Sequence, residues 1–72
     1  MLNLTTECEA DGRWIAEVVE LAGVFSYGAS RDDGIRRAKI LALRVIADRL
    51  EHCEAVGELS GIFAVTPRAA DP

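Results

Sequence analysis

The side chains able to do chemistry are few and scattered. There is one histidine, His52, and there are two cysteines, Cys8 and Cys53. Cys8 falls in a segment that alternates like a strand, whereas His52 and Cys53 end a long helical pattern. No CxxC or HxxxH pair exists, and a His/Cys zinc site would have at most three ligands. His52 reads as a surface residue whose charged ring would suit a helix C-terminus. Cys8, on the apolar side of its strand, reads as a small core hydrophobe rather than a nucleophile. Glu7 and Glu9 share one strand face and could approach a cation, but no third ligand is close in sequence, and solvated edge charges explain them. Gly23, Gly28 and Gly34 form neither GxGxxG nor a P-loop. Arg31, Arg36, Arg37, Lys39, Arg44 and Arg49 are interleaved with Asp32, Asp33 and Asp48, which describes an ion-paired helix face rather than a phosphate track. They also lack the aromatics of a single-strand platform. The sequence therefore offers no catalytic, cofactor-binding or metal residues to assign.

The elements that would carry these residues follow from periodicity. Residues 2–9 alternate, with Leu2, Leu4, Thr6 and Cys8 on one side and Asn3, Thr5, Glu7 and Glu9 on the other, as in a half-buried strand. Asp11-Gly12 is a two-residue hairpin signal, since both central positions of that turn favour positive φ. Arg13–Leu21 is a second strand with blurred alternation, one face bearing Trp14, Ala16, Val18 and Glu20, the other Arg13, Ile15, Glu17, Val19 and Leu21. Ala22-Gly23 breaks the pattern, and Val24–Tyr27 is a short third strand ended by Gly28. Ser30, with Asp33 three residues on, is a capping-box-like helix start, and Asp32 and Asp33 suit the positive end of the dipole. The helical pattern runs from Arg31 to about Cys53. Leu59–Val65 reads as a last strand, and Pro67 ends the ladder.

The order β-β-β-α-β gives a two-layer α+β domain, an antiparallel sheet with one long helix on one face. One domain is expected over 1–66, with a frayed tail over 67–72. At 72 residues such a domain is marginal, and self-association or a partner would help it. Half the residues are hydrophobic, which excludes a disordered tail. A net charge of −4 argues against non-specific nucleic-acid binding and anionic membranes and suits a basic protein partner. The longest apolar run is four residues, Ile40–Leu43, far short of a span. The start lacks a secretory pattern, so a cytoplasmic protein with reduced thiols is expected.

The helix has more apolar surface than one sheet can use. Ile35, Ala42, Ile46 and Cys53 fall on one line, flanked by Ala38, Leu41 and Val45 on one side and by Ile40, Leu43, Ala47 and Leu50 on the other. A helix lying on a sheet needs a stripe little wider than ~100°. The surplus, around Ile40, Leu43 and Ala47 or around Leu41 and Val45, predicts a second buried contact with another copy of the chain, a partner, or both.

Three stretches in order, Asp11-Gly12-Arg13-Trp14, then Glu20-Leu21-Ala22-Gly23-Val24-Phe25-Ser26-Tyr27-Gly28, then Ser30-Arg31-Asp32-Asp33-Gly34, closely resemble the HicB-like antitoxin family of bacterial type II toxin–antitoxin systems, in its short single-domain branch. Two positions depart from that pattern: Ala22 stands where the family usually has proline, and Gly34 where it usually has alanine. The resemblance implies a partial RNase H-like fold and no enzymatic activity. It also implies binding and occlusion of a small basic HicA-like toxin that cleaves mRNA with a histidine. Gly12, Gly23, Tyr27, Gly28 and Ser30 would be fold-motif residues, with Tyr27 packed at the strand–helix junction and its hydroxyl satisfied. Toxin contacts are sought in the acidic hairpin, at Glu7, Glu9, Asp11, Trp14, Glu17 and Glu20. Contacts between copies, as a dimer or tetramer, are sought at Ile40, Leu41, Leu43, Val45 and Ala47. Many family members carry a further DNA-binding domain; none is expected on this chain, so no direct contact with nucleic acid is expected. The alternative is an oligomeric structural or regulatory module of the same fold that has no toxin.

Overall fold

In a computed structural model, which describes residues 2–54, Phe63, Thr66 and Pro67, β1 spans Leu4–Cys8, β2 Trp14–Val18, β3 Phe25–Gly28 and α1 Arg31–Glu51. The strands form one antiparallel sheet in the order β1-β2-β3, and α1 covers one face. This is the expected two-layer α+β arrangement. The last strand expected over Leu59–Val65 and the tail over 67–72 lie, apart from Phe63 and Pro67, outside the described residues. No helix among the described residues is long and apolar enough to cross a membrane.

The register sorts the blurred alternation of β2. Leu4 opposes Val18, Thr6 opposes Ala16 and Cys8 opposes Trp14; across the other edge Trp14 opposes Gly28 and Ala16 opposes Ser26. Directly opposed residues share a face, so these side chains all point toward α1. Thr5, Glu7, Ile15, Glu17, Phe25 and Tyr27 point away. The core is Ala16, Val18, Leu21, Val24, Ala38, Ala42 and Ile46, with Leu2, Leu4, Ile35, Leu41 and Val45 packed against it. Leu21 belongs to this core because the chain turns after Val18, so the strand parity that would have put it outside no longer applies.

Two turns hold the meander. The first is not the expected two-residue hairpin. The Glu9 N–H donates to the Arg13 carbonyl (2.7 Å), and the Gly12 N–H donates to the Glu9 carbonyl (3.0 Å). Ala10, Asp11 and Gly12 thus form a three-residue loop, a type I turn closed by one left-handed residue. Only Gly12 has a positive φ, at 89°. Asp11 instead uses its carboxylate, which accepts from the Arg13 N–H (3.1 Å) and from Arg13 Nε (2.8 Å). The second connection is two consecutive turns, Leu21 N–H to the Val18 carbonyl and Val24 N–H to the Leu21 carbonyl. Gly23, with φ of 80°, holds the left-handed third position of a type II turn, which puts Ala22 at the position where proline is favoured.

The junction of β3 and α1 is built on small residues. A Cβ added to Gly28 would lie 2.3 Å from the backbone nitrogen of Gly34. Above this crossing Gly34, Ala38, Ala42 and Ile46 form the buried stripe of α1, which lets the helix lie close over Ala16. Ser30 is the N-cap, in extended conformation, and its hydroxyl accepts from the Asp33 N–H at 3.1 Å. Asp33 reaches back to accept from the Ala29 N–H at 3.2 Å, a near relation of the capping box.

The helix stops at its other end earlier than expected. His52 is the C-cap. The Glu54 N–H donates to the Arg49 carbonyl (2.8 Å) and the Cys53 N–H to the Leu50 carbonyl (3.2 Å), the paired bonds of a Schellman motif. Cys53 takes the left-handed position with φ of 55° and is exposed, so it ends the helix rather than continuing the apolar line. Cys8 is also exposed, contrary to the core role expected of it. It has the inward parity, but α1 lies mainly over β2 and β3 and meets β1 least, so the corner of the sheet at Cys8 stays uncovered.

Candidate binding surfaces

Among the described residues, two apolar surfaces stand out as exposed. The first is the sheet face turned away from α1. Its cross-strand neighbours form two rows, Glu7–Ile15–Tyr27 and Thr5–Glu17–Phe25. Phe25 and Tyr27 keep 43% and 39% of their surface exposed, and their rings meet edge to face at 6.2 Å between centroids. The Arg13 guanidinium lies 4.5 Å from the centre of the Tyr27 ring, a cation–π contact, and is also paired with Asp11 at 2.8 Å. A shallow depression of about 240 Å³ runs between Thr5, Thr6, Glu7, Ile15 and Glu17. The Tyr27 ring is therefore not packed at the strand–helix junction as expected. Strand parity turns Ser26 and Gly28 to the helix and sends Phe25 and Tyr27 the other way.

The second surface is on α1. Ile40, Leu43 and Leu50 are 40%, 65% and 52% exposed, and Ala47 between them is exposed too. Their spacing of three, four and three residues puts them on one stripe. Of the two places named for the helical surplus, this is the one left open, whereas Leu41 and Val45 pack against the core. Asp32, Arg36, Lys39 and Arg44 border the stripe. Between it and the edge of β1 lies a groove of about 270 Å³ lined by Leu2, Leu4, Val18, Lys39, Ala42 and Leu43.

The acidic residues of the hairpin do not act together. Glu7 and Glu17 lie on the open sheet face. Asp11 is at the hairpin tip, where the Arg13 N–H is the first cause holding its carboxyl below the ordinary range. Glu20 sits at the far end of the sheet and accepts from the Asn3 N–H (2.8 Å) and from Asn3 Nδ2 (2.7 Å); the backbone bond is the main reason its pKa is lowered. Glu9 closes the hairpin with its backbone. Trp14 is half-buried on the helix side of β2, so it shares no face with Glu7 and Glu17. Ile15 and Phe25 were missed in the sequence, although the parity of Ala16 and Val18, once those are assigned to the core, sends Ile15 outward.

Asp33 is the most connected charge. It pairs with Arg36 at 3.0 Å and with Arg37 at 3.1 Å. The Arg36 hydrogen bond, followed by the Ala29 N–H, pulls its pKa down. Asp48, His52 and Glu54 bring three donor atoms within 4.8 Å of one another, but all three residues are exposed. His52 Nδ1 already lies 2.8 Å from the Asp48 carbonyl, the arrangement of a solvated helix end.

No protein-family model, curated protein or solved structure matches this chain. The likeness to the HicB-like pattern therefore rests on its motif residues, and their places in the fold have physical reasons: Gly12 and Gly23 at positive φ, Gly28 at the strand–helix crossing and Ser30 at the helix cap.

Proposed function

We propose that this protein is the antitoxin of a type II toxin–antitoxin pair, a non-enzymatic module that binds a small basic HicA-like mRNA-cleaving toxin and covers its active site. The observation that carries this reading is the pairing of net negative charge with large apolar side chains left bare on two separate surfaces. Acidic surface steers a basic protein to the site, and exposed aromatic and aliphatic groups supply the desolvated centre that holds it. The ordered HicB-like motif supports the same reading independently. The test is co-purification with the product of the neighbouring gene and rescue of growth when that product is expressed. Formation of a stable complex with restored growth is expected; absence of both ends the proposal.

The helix stripe favours a second role, self-association. Ile40, Leu43, Ala47 and Leu50 have the spacing of a helix-pairing seam, and an isologous dimer would bury the same stripe from both copies. Light scattering should give a mass of at least two chains for the natural protein, and one chain for Leu43→Lys. If the natural protein has the mass of a single chain, this role is lost. If self-association persists and no basic partner exists, the toxin-less oligomeric module is the better account.

A further inference from the structure

We infer that the open face of the sheet, and not the hairpin tip or the helix stripe, receives the basic partner, with Ile15, Phe25 and Tyr27 as its apolar centre and Glu7 and Glu17 as its charged frame. This rests on the antitoxin reading and assigns its contact surface.

Charge separates the two apolar surfaces. On the sheet face Glu7 stands beside Ile15, and Glu17 stands between Thr5 and Phe25. Neither glutamate has an ion-pair partner among the described residues. They are diagonal neighbours across β1 and β2, at a spacing of roughly 7–8 Å, close enough for one cationic side chain to reach both. Arg13, whose guanidinium lies over Tyr27 on this face, is already engaged by Asp11 at 2.8 Å. The face is thus negative and apolar at once, and a cation arriving between Glu7 and Glu17 would meet two carboxylates not engaged by an ion pair among the described residues. The helix stripe is of mixed charge: Lys39 and Arg44 border it, but so does Asp32, and Arg36 is paired with Asp33 at 3.0 Å, so it offers a basic protein no negative frame.

The aromatic pair is also held in place before binding. Tyr27 meets Phe25 in a T-shaped contact and the Arg13 guanidinium over its ring, so less ordering is needed when a partner covers it. Aromatic anchors of this kind concentrate binding energy in few residues. The rest of the chain is a poor occupant by charge: residues 55–72 contain Glu58 and Asp71 but only Arg68. A second copy meeting this face with its own sheet face would set Glu7 and Glu17 against their equivalents. A second copy meeting it with its helix stripe would make a heterologous contact that repeats from copy to copy, which is a distinguishable outcome.

The test uses the full chain and, as probe, the small basic protein encoded beside its gene, carrying a His→Ala change so that it can be produced. Affinities are measured by calorimetry for the natural chain, for Phe25→Ser/Tyr27→Ser, for Glu7→Lys/Glu17→Lys, and for Leu43→Ser. All variants are checked for native ellipticity, and the charge-reversed pair keeps the test valid if the aromatic pair fails to fold. Both sheet-face variants should weaken binding by about tenfold to a hundredfold. Leu43→Ser should leave it unchanged, and the affinity of the natural chain should fall with salt. Equal binding by all four chains, or loss confined to Leu43→Ser, overturns this assignment while the antitoxin reading stands. No binding by the natural chain overturns both. Growth of the natural chain into higher-mass species that the sheet-face variants abolish gives the face to a second copy and also overturns it.

Discussion

The crossing of β3 and α1 makes a sharp prediction, because two glycines six residues apart should respond to alanine in opposite ways. A Cβ on Gly28 would sit 2.3 Å from the Gly34 nitrogen, 2.7 Å from its Cα and 2.8 Å from the Asp33 carbonyl carbon. All three are backbone atoms, so no rotamer change relieves the overlap. Restoring a normal carbon contact of about 3.5 Å requires the helix start to retreat by about 1 Å. That retreat loosens Gly34 and Ala38 over Ala16. Overpacking of this kind costs about 1–3 kcal/mol, and the upper end applies where only backbone can yield. A 72-residue domain has a total stability of roughly 4–11 kcal/mol, so Gly28→Ala should lower Tm by about 12–24 °C. Gly34→Ala should do the reverse. Its Cβ would meet the Trp14 carbonyl oxygen at 3.4 Å and the Ala16 Cβ at 3.8 Å, ordinary packing distances. The helix also exchanges a glycine for its best former, worth up to about 1 kcal/mol. Urea unfolding followed by far-UV ellipticity, with an unchanged m-value, measures both. A Gly28→Ala protein within about 0.5 kcal/mol of the natural one, or a Gly34→Ala protein less stable than it, refutes this account of the junction.

Other consequences are simpler to check. Ala22→Pro should raise stability by about 0.4–1 kcal/mol, since proline suits that turn position and restricts the unfolded chain, and the Ala22 N–H makes no backbone bond among the described residues; thermal unfolding reads it. Cys53→Gly should stabilise by about 1 kcal/mol by removing a side chain from the left-handed position at the helix end, again seen as a higher Tm. The lowered pKa of Asp33 means that its contribution is fully present above the unfolded value of about pH 4 and is lost as pH falls through the lower folded value. Acid unfolding of Asp33→Asn should therefore show a shallower loss of stability below about pH 4 than the natural protein, with Asp11 and Glu20 supplying the remainder. If the helix stripe pairs two copies, Tm of the natural chain should rise with protein concentration, whereas that of Leu43→Lys should not.

The strands and helix were legible because their signals are local. Alternation in 2–9, the break at Ala22-Gly23 and the cap at Ser30 each depend on residues close in sequence. What sequence reading missed depended on where the helix lies laterally. Cys8 and Thr6 have inward parity like Leu4, yet α1 runs over β2 and β3, and only a tertiary placement reveals that Cys8 stays bare. Tyr27 was expected at the junction because Gly28 follows it. The close contact belongs to Gly28 itself, however, and alternation then forces Tyr27 to the opposite face. Asp11-Gly12 marked a turn correctly but not its length: the Glu9–Arg13 pairing closes the loop one residue earlier than a two-residue hairpin would. The helix surplus was visible as an arc, but its open half, Ile40–Leu43–Ala47–Leu50, could be told from Leu41 and Val45 only once the side facing the sheet was known.

The open surfaces and the modest core have a common cause. Alanines and glycines at Gly34, Ala38, Ala42, Ala16 and Gly28 bring helix and sheet close together. A close approach leaves little room between the layers, so among the described residues the largest fully buried side chains are Leu21 and Val18. Bulky groups such as Phe25, Tyr27, Ile40, Leu43 and Leu50 then lie partly outside, where much of their apolar surface stabilises nothing until something covers it. A ligand that binds only the folded chain at 100 times its Kd adds about 2.7 kcal/mol, comparable to the cost of the Gly28 overlap. The same side chains that this small fold cannot bury are thus those through which a partner would set how stably it folds.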